Sequence, residues 1–417
     1  MTKILIQNIG PISNVDIKLN KVNILMGPQS SGKSTIAKII SYCQWVEKRF
    51  ILDGEYKYDV SEQLLDFHRL SENYFSEKSF FEYESDFIKI SYKGIKLKQT
   101  IRKKKNNIKY EKSKNIYIPS ERNFVSAIPN LSKYKETNDN IMSFVYDWYS
   151  AKRKFSKHNS LPILNLGVNF YNNEEKDLDI LVLSKNKKEI QLRESSSGLQ
   201  SVTPLILILE YLTNNFYSEN TSNSVNELDT LKNILSKNIL EIIDSNKLLD
   251  IKNNKEGANT VELSKIEFDK LLNLVKLRTS YYKSNFIIEE PEQNLFPETQ
   301  RDFIYYIFNK LKSERNHSLT LTTHSPYILY AINNCLMGDL ISKNLSDDVK
   351  NEFLSKDSWI SANLVNIFEI NKDNGTIKSI KDEDTGTVNK HYFNKIMNSI
   401  MDEYYEMLNF LNYEALH

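Results

Sequence analysis

Three features of the sequence predict an α/β fold built on a mixed sheet. First, an apolar strand from Val22 to Met26 stops at Gly27, and the chain turns to helical composition from Ser34 through Ile40. Second, two more apolar runs, Phe286 to Ile288 and Leu319 to Thr323, end in clusters of polar residues, as strands entering a polar edge do. Third, Phe87 to Tyr92 and Ile95 to Lys98 alternate around Lys93-Gly94, which predicts an antiparallel hairpin and hence an antiparallel β subdomain.

In chain order, Ile4, Ile6 and Ile9, then Gly10-Pro11, then Val15, Ile17 and Leu19 read as a hairpin that leads into the buried strand. Residues 50–85 mix polar and aromatic side chains and are expected to be helical. A basic stretch, Arg102 to Lys114, precedes a short strand, Ile116-Tyr117-Ile118, which ends at Pro119-Ser120-Glu121-Arg122-Asn123. Strand-like runs follow at Asp179 to Leu183 and Glu189 to Leu192, then an apolar helix from about Leu205 to Leu212. Residues 213–280 are rich in Asn, Ser and Lys with amphipathic pieces and read as a helical insertion. A helix over Phe303 to Leu311 lies between the last two apolar strands, and the tail beyond 339 is charged and mixed. No repeat of fixed period is present.

At 417 residues the chain is long enough for two lobes or for one large α/β domain with insertions. Its 55 Lys+Arg stand against 54 Asp+Glu, so no global field draws it to nucleic acid or an anionic membrane. The two cysteines, Cys43 and Cys335, exclude a disulfide framework and a cysteine-rich zinc site, which fits a reducing, cytoplasmic setting. The apolar stretch at the start is short and broken by Asn8, Gly10 and Pro11, unlike a signal peptide. The longest apolar run, Leu205 to Leu209, falls far below the roughly 20 residues of a bilayer crossing, so no membrane partner is expected.

The chemistry is concentrated in three blocks. Gly27-Pro28-Gln29-Ser30-Ser31-Gly32-Lys33-Ser34 fits G-x-x-x-x-G-K-[ST] and lies between a strand and a helix that continues with Thr35. Glycines let backbone amides wrap phosphates, Lys33 is placed to span the β- and γ-phosphates, and the Ser34 hydroxyl can ligate Mg²⁺. Glu289-Glu290 ends an apolar strand. Beside a phosphate loop, Glu289 is expected to hold the metal and Glu290 to take a proton from attacking water. His324, at the end of the next strand, is expected to meet the γ-phosphate.

Ser195-Ser196-Ser197-Gly198-Leu199-Gln200-Ser201 precedes the apolar helix and by itself reads as N-capping. Phosphate loop, Ser-Gly-x-Gln turn, acid pair and histidine occur in the order seen in ABC-type ATPases. The chain resembles their soluble branch of RecF-, SMC- and OLD-like proteins. Asn8-Ile9-Gly10-Pro11-Ile12, Glu289-Glu290-Pro291-Glu292-Gln293-Asn294-Leu295-Phe296-Pro297 and Thr323-His324-Ser325-Pro326 further resemble the AAA-family ATPases of bacterial antiphage systems such as Septu and PARIS.

The resemblance implies an ABC-type P-loop ATPase that uses ATP and Mg²⁺. Its core would be residues 1–130 and 281–338, with a helical lobe at 131–280 and an accessory region at 339–417. It also implies a homodimer or higher homo-oligomer in which Ser197, Gly198 and Gln200 complete the ATP site of the opposite subunit. Leu199 departs from the second glycine of transporters, Glu289 replaces an aspartate, and Asn294 stands where histidine is common. Arg122 resembles a recurring arginine of these families; a surface salt bridge is the other reading. A separate nuclease or toxin effector is the expected partner, docking on 213–280 or on the tail. The alternatives are a RecF-like clamp on DNA, with Arg102 to Lys114 contacting phosphates, and an ATP-bound scaffold with little turnover.

Overall fold

The computed structural model describes residues 2–105, 107–128, 139–218, 280–388 and 391–410. Most of the expected insertion, 219–279, lies outside the described residues. The chain forms a mixed α/β fold around an eleven-stranded sheet. Its first strands are β1 (Thr2–Ile9), β2 (Ile12–Leu19), β3 (Val22–Met26), β4 (Phe80–Glu84), β5 (Ile88–Lys93), β6 (Lys98–Lys103) and β7 (Ser113–Ile118). A second, four-stranded antiparallel sheet is built from β8 (Leu161–Pro162), β9 (Val168–Asn173), β10 (Leu178–Leu183) and β11 (Glu189–Gln191). The large sheet is completed by β12 (Lys283–Glu289), β13 (Ser318–Thr323), β14 (Val365–Asn371) and β15 (Thr376–Ser379).

The order across the large sheet is β6-β5-β4-β1-β2-β15-β14-β3-β13-β12-β7. The run from β14 to β7 is parallel, whereas β2, β1, β4, β5 and β6 pair antiparallel. Sequence explains the division. All five residues of β3 are buried, as befits a central parallel strand covered on both faces, while β2 alternates buried and exposed residues.

Among the described residues the longer helices are α1 (Lys33–Asp53), α2 (Asn140–Lys152), α3 (Ser197–Glu210), α4 (Pro297–Leu311), α5 (Pro326–Ile341) and α6 (Tyr392–Leu408). On one face Ile24, Ile116, Phe286, Ile288 and Leu321 pack with Trp148 of α2, Leu205 of α3, Phe303 of α4 and Ile332 of α5. On the other, Leu25, Tyr117 and Ile287 pack with Ile36, Ile39 and Ile40 of α1. That alternation along β7 and β12 follows from the two-residue strand period. Among the described residues, no helix is long and apolar enough to cross a membrane.

Several sequence boundaries change. Residues 80–84, read as helix, form β4, since Phe81 and Tyr83 bury one face between β1 and β5. The hairpin turn falls at 94–97, so its second strand begins at Lys98 and not at Ile95. Helix α3 starts at Ser197, because Ser196 Oγ caps the amide of Leu199. It tolerates Pro204 because the carbonyl left without its helical donor, Gln200 O, accepts from Ser126 Oγ at 3.1 Å. The region 339–417, set apart as accessory, supplies β14, which hydrogen-bonds directly to β3.

Candidate functional site

Residues 27–32 join β3 to α1 and owe their shape to glycine. Gly27, Ser30 and Gly32 have φ of 153°, 61° and 98°. A Cβ on Gly27 would lie 2.8 Å from the carbonyl oxygen of Ile370 in β14, and one on Gly32 would lie 2.8 Å from Ile12 Cγ1. Both glycines are therefore required by conformation and by space. Gly32 caps α1 without a side-chain hydrogen bond, which leaves first-turn amides for an external anion.

Lys33 is 4% exposed, and its ammonium donates to Gly27 O at 2.9 Å and Pro28 O at 2.8 Å. Its third contact is His324 Nδ1 at 3.3 Å. On the far side of the ring, Nε2 lies 3.0 Å from Glu290 Oε1. One proton arrangement satisfies this chain: Lys33 donates to Nδ1, and a neutral His324 donates from Nε2 to the carboxylate. The contact with His324 holds the Glu290 carboxyl below its ordinary value. Burial pulls Lys33 down to about 8, against the pull of Glu290, Glu292 and Glu289.

The two acids diverge because the chain turns between them. Glu289 ends β12 on the face that also carries Ile287, toward α1, whereas Glu290 adopts φ 42° and turns toward His324. Glu289 is 4% exposed, and its Oε1 makes no well-formed hydrogen bond among the described residues, with the Tyr117 hydroxyl beside the carboxylate. A buried carboxylate on the face of α1, whose first turn carries the half-buried Ser34, is a donor set that suits hydrated Mg²⁺.

Arg122 is fully buried, so the surface salt bridge is ruled out. Its guanidinium donates to the carbonyls of Ser201, Glu289, Glu290 and Pro291 at 3.2, 3.0, 2.8 and 3.1 Å. It thereby ties the acid pair to α3. Glu292, whose function the sequence reading left blank, accepts from the Thr323 hydroxyl at 3.0 Å and the His324 amide at 2.5 Å, which fixes the histidine backbone. The Glu-Pro-Glu spacing was the available signal for it. Asn294, with φ 62°, donates to Ser201 Oγ at 2.9 Å.

The Ser197-Gly198-Gln200 turn lies at the start of α3, against the acid-pair loop of its own chain. A Cβ on Gly198 would lie 2.9 Å from Asn294 O. Gln200 Nε2 donates to Arg193 O at 3.0 Å and Ser195 O at 2.9 Å, so its amide is engaged within the turn, while Ser197 is exposed. The basic stretch splits: Lys104 pairs with Glu84, Lys114 pairs with Asp147, and Lys112 is buried over the Tyr281 ring, whereas Arg102, Lys103, Lys105 and Lys109 are exposed.

No family model and no curated protein matches the chain. Among solved structures it is similar to the SMC head domain from Thermotoga maritima, at 10% identity over 91% of this chain and 98% of that one, TM-score 0.38. It is also similar to the recombination mediator RecF, at 13% identity over 91% and 97%, TM-score 0.31. A dimeric bacterial ABC transporter cassette matches at 10% identity over 91% and 99%, TM-score 0.31. At such scores these likenesses carry no residue-by-residue correspondence.

Proposed function

We propose that this chain binds ATP with Mg²⁺ and hydrolyses it, as the ATPase subunit of a bacterial antiphage module whose nucleotide-dependent dimer controls a separate nuclease or toxin. The observation that carries the ATPase reading is the chain Lys33, His324, Glu290, which links the phosphate loop to the carboxylate at the end of β12. Lys33 makes three contacts, two of them to the loop that precedes it. Phosphate oxygens are stronger acceptors, so nucleotide would draw the ammonium away from these carbonyls and release His324 Nδ1. Glu290, held as a carboxylate, then accepts the proton of attacking water, and His324 orients it. Magnesium, when bound with ATP, supplies countercharge to the phosphates, and Ser34 Oγ with Glu289 would hold it.

The effector reading is supported by the motif resemblance and by α6, whose Ile396, Met397, Ile400, Tyr404 and Tyr405 are exposed as an uncovered apolar surface. A second reading, a clamp on DNA, is favoured by the open groove that Lys103 and Lys105 line with Phe87 and Ile108.

Calorimetry with ATP tests the first step. Lys33→Ala is expected to lose a charge-assisted contact of about 1.5–3 kcal/mol, weakening ATP at least tenfold, and unchanged affinity would refute the phosphate loop. Glu290→Gln should keep ATP affinity while turnover falls roughly 10²–10⁴-fold. Purification of Glu290→Gln from the native host should bring down a stoichiometric protein partner; DNA as the sole nucleotide-sensitive ligand would favour the clamp.

A further inference from the structure

Among the described residues, α6 is anchored at its N-terminal end. The Tyr392 amide donates to Glu369 Oε1 of β14 at 2.8 Å, and the Tyr392 and Phe393 rings pack half-buried against the core. From Lys395 to Met407 every residue is exposed, and none of the helix is buried. Isolated helices shorter than about 12–15 residues are marginal in water, because most helical stability comes from packing an apolar face. A partner that covers this face therefore stabilises the helix itself.

The face has the spacing of a helix–helix seam. Met397, Ile400, Tyr404 and Met407 are 60%, 61%, 53% and 60% exposed, and they recur at intervals of three, four and three residues. That is the spacing of knobs packing into the holes of a facing helix. Lys395, Asn398, Ser399, Asp402 and Glu406 take the opposite side. The pattern of intervals reads the same in both directions, as a self-complementary two-fold contact between antiparallel helices requires. In that arrangement Met397 meets Met407 of the partner subunit, and Ile400 meets Tyr404 of the partner subunit.

Charge selects the same occupant. The helix carries Lys395 in its first half and Asp402, Glu403 and Glu406 in its second. An antiparallel pair brings Lys395 within one helical turn of Glu406 of the partner subunit, whereas a parallel pair sets each acid beside its own copy. A membrane surface is a poor fit, since interfacial helices carry Lys and Arg on the polar face and this one has three acids to one lysine. We propose that α6 pairs antiparallel with α6 of a second copy and holds a dimer that needs no nucleotide. The pairing goes beyond the ATPase reading, because no residue of the seam belongs to the phosphate loop, the acid pair or the Ser197 to Gln200 turn. Ile396 and Tyr405 flank the seam and stay open to the effector.

The test is sedimentation velocity of the full chain carrying Lys33→Ala, without nucleotide, so that an ATP-driven dimer does not report. A concentration-dependent dimer is expected. Ile400→Glu, at an exposed position, should fold and should raise the dissociation constant at least about tenfold, since pairing would bury its charge. Register is read with a short bis-maleimide, to which the buried Cys43 and Cys335 are shielded. Copies carrying Met397→Cys should link to differently tagged copies carrying Met407→Cys, while neither variant links to itself, because identical sites then lie about 15 Å apart along the helices at 1.5 Å per residue. A monomer at every concentration, or a dimer that Ile400→Glu leaves unchanged, would overturn the pairing. So would self-linking of Met397→Cys, which is the mark of parallel helices, and so would a monomer that floats with anionic vesicles through α6.

Discussion

Lys33 opens α1 and donates back to two carbonyls of the loop before it, and its third partner, His324, also reaches a carboxylate. In the proposed mechanism His324 therefore acts on Glu290 more than on ATP affinity. His324→Ala is expected to lower turnover by roughly 10–100-fold while ATP affinity, read by calorimetry, stays within about threefold. Equal turnover in the variant would leave Glu290 without its orienting partner's contribution and remove His324 from the mechanism. The loop, the acid pair and the histidine were legible from sequence because each combines a fixed residue type with a strand end. Glu292 was not assigned, since its carboxylate acts on the backbone of a residue 32 positions away.

At the scale of elements, Arg122 joins the end of β12 to α3 through four carbonyls. Arg122→Met strands those acceptors in a buried place, so urea unfolding should show a loss of about 3 kcal/mol or more. A loss within experimental error would mean that water replaces the guanidinium. A second joint is His317, which is fully buried and accepts the Ser284 amide at Nδ1 over 2.9 Å. Burial, aided by Arg315 and Lys21, pulls it to about 4 from 6.5. As pH falls through 6.5 the unfolded chain binds the proton first, so native stability should decline down to about pH 4, by at most about 1.4 kcal/mol per unit. His317→Asn, which can keep an acceptor for Ser284, should flatten that slope in urea titrations at pH 7 and pH 5; an identical slope would clear His317.

For the whole molecule, the proposed dimer has Ser197 to Gln200 serving a second protomer. Gly198 is a poor probe, because a side chain there meets Asn294 O in its own chain. Ser197 is exposed, so Ser197→Arg should leave ATP binding by the monomer intact and abolish turnover in a dimer. Mixed with Lys33→Ala, it should recover partial activity, since each heterodimer then holds one undamaged composite site. No recovery in verified heterodimers would set the trans arrangement aside. The exposed apolar face of α6 makes the same scale relevant to partner binding.

Sequence by itself determined the local chemistry here: where strands stop, which glycines the loop needs, and which ionisable residues stand at strand ends. Those are set by backbone conformation and by patterns of period two or 3.6 within a few residues. Tertiary structure decided what depends on distance along the chain. The charged tail beyond 339 hid β14, whose Val365, Ile367 and Ile370 become a core strand only once β3 is there to pair with them. Arg122 became an interior clamp, and the run from Arg102 to Lys114 ceased to be one patch, because burial and carboxylate partners such as Asp147 and Glu84 come from remote elements. No local pattern encodes those partners, since their positions follow from how the sheet is assembled and how α1 and α2 cover its edge.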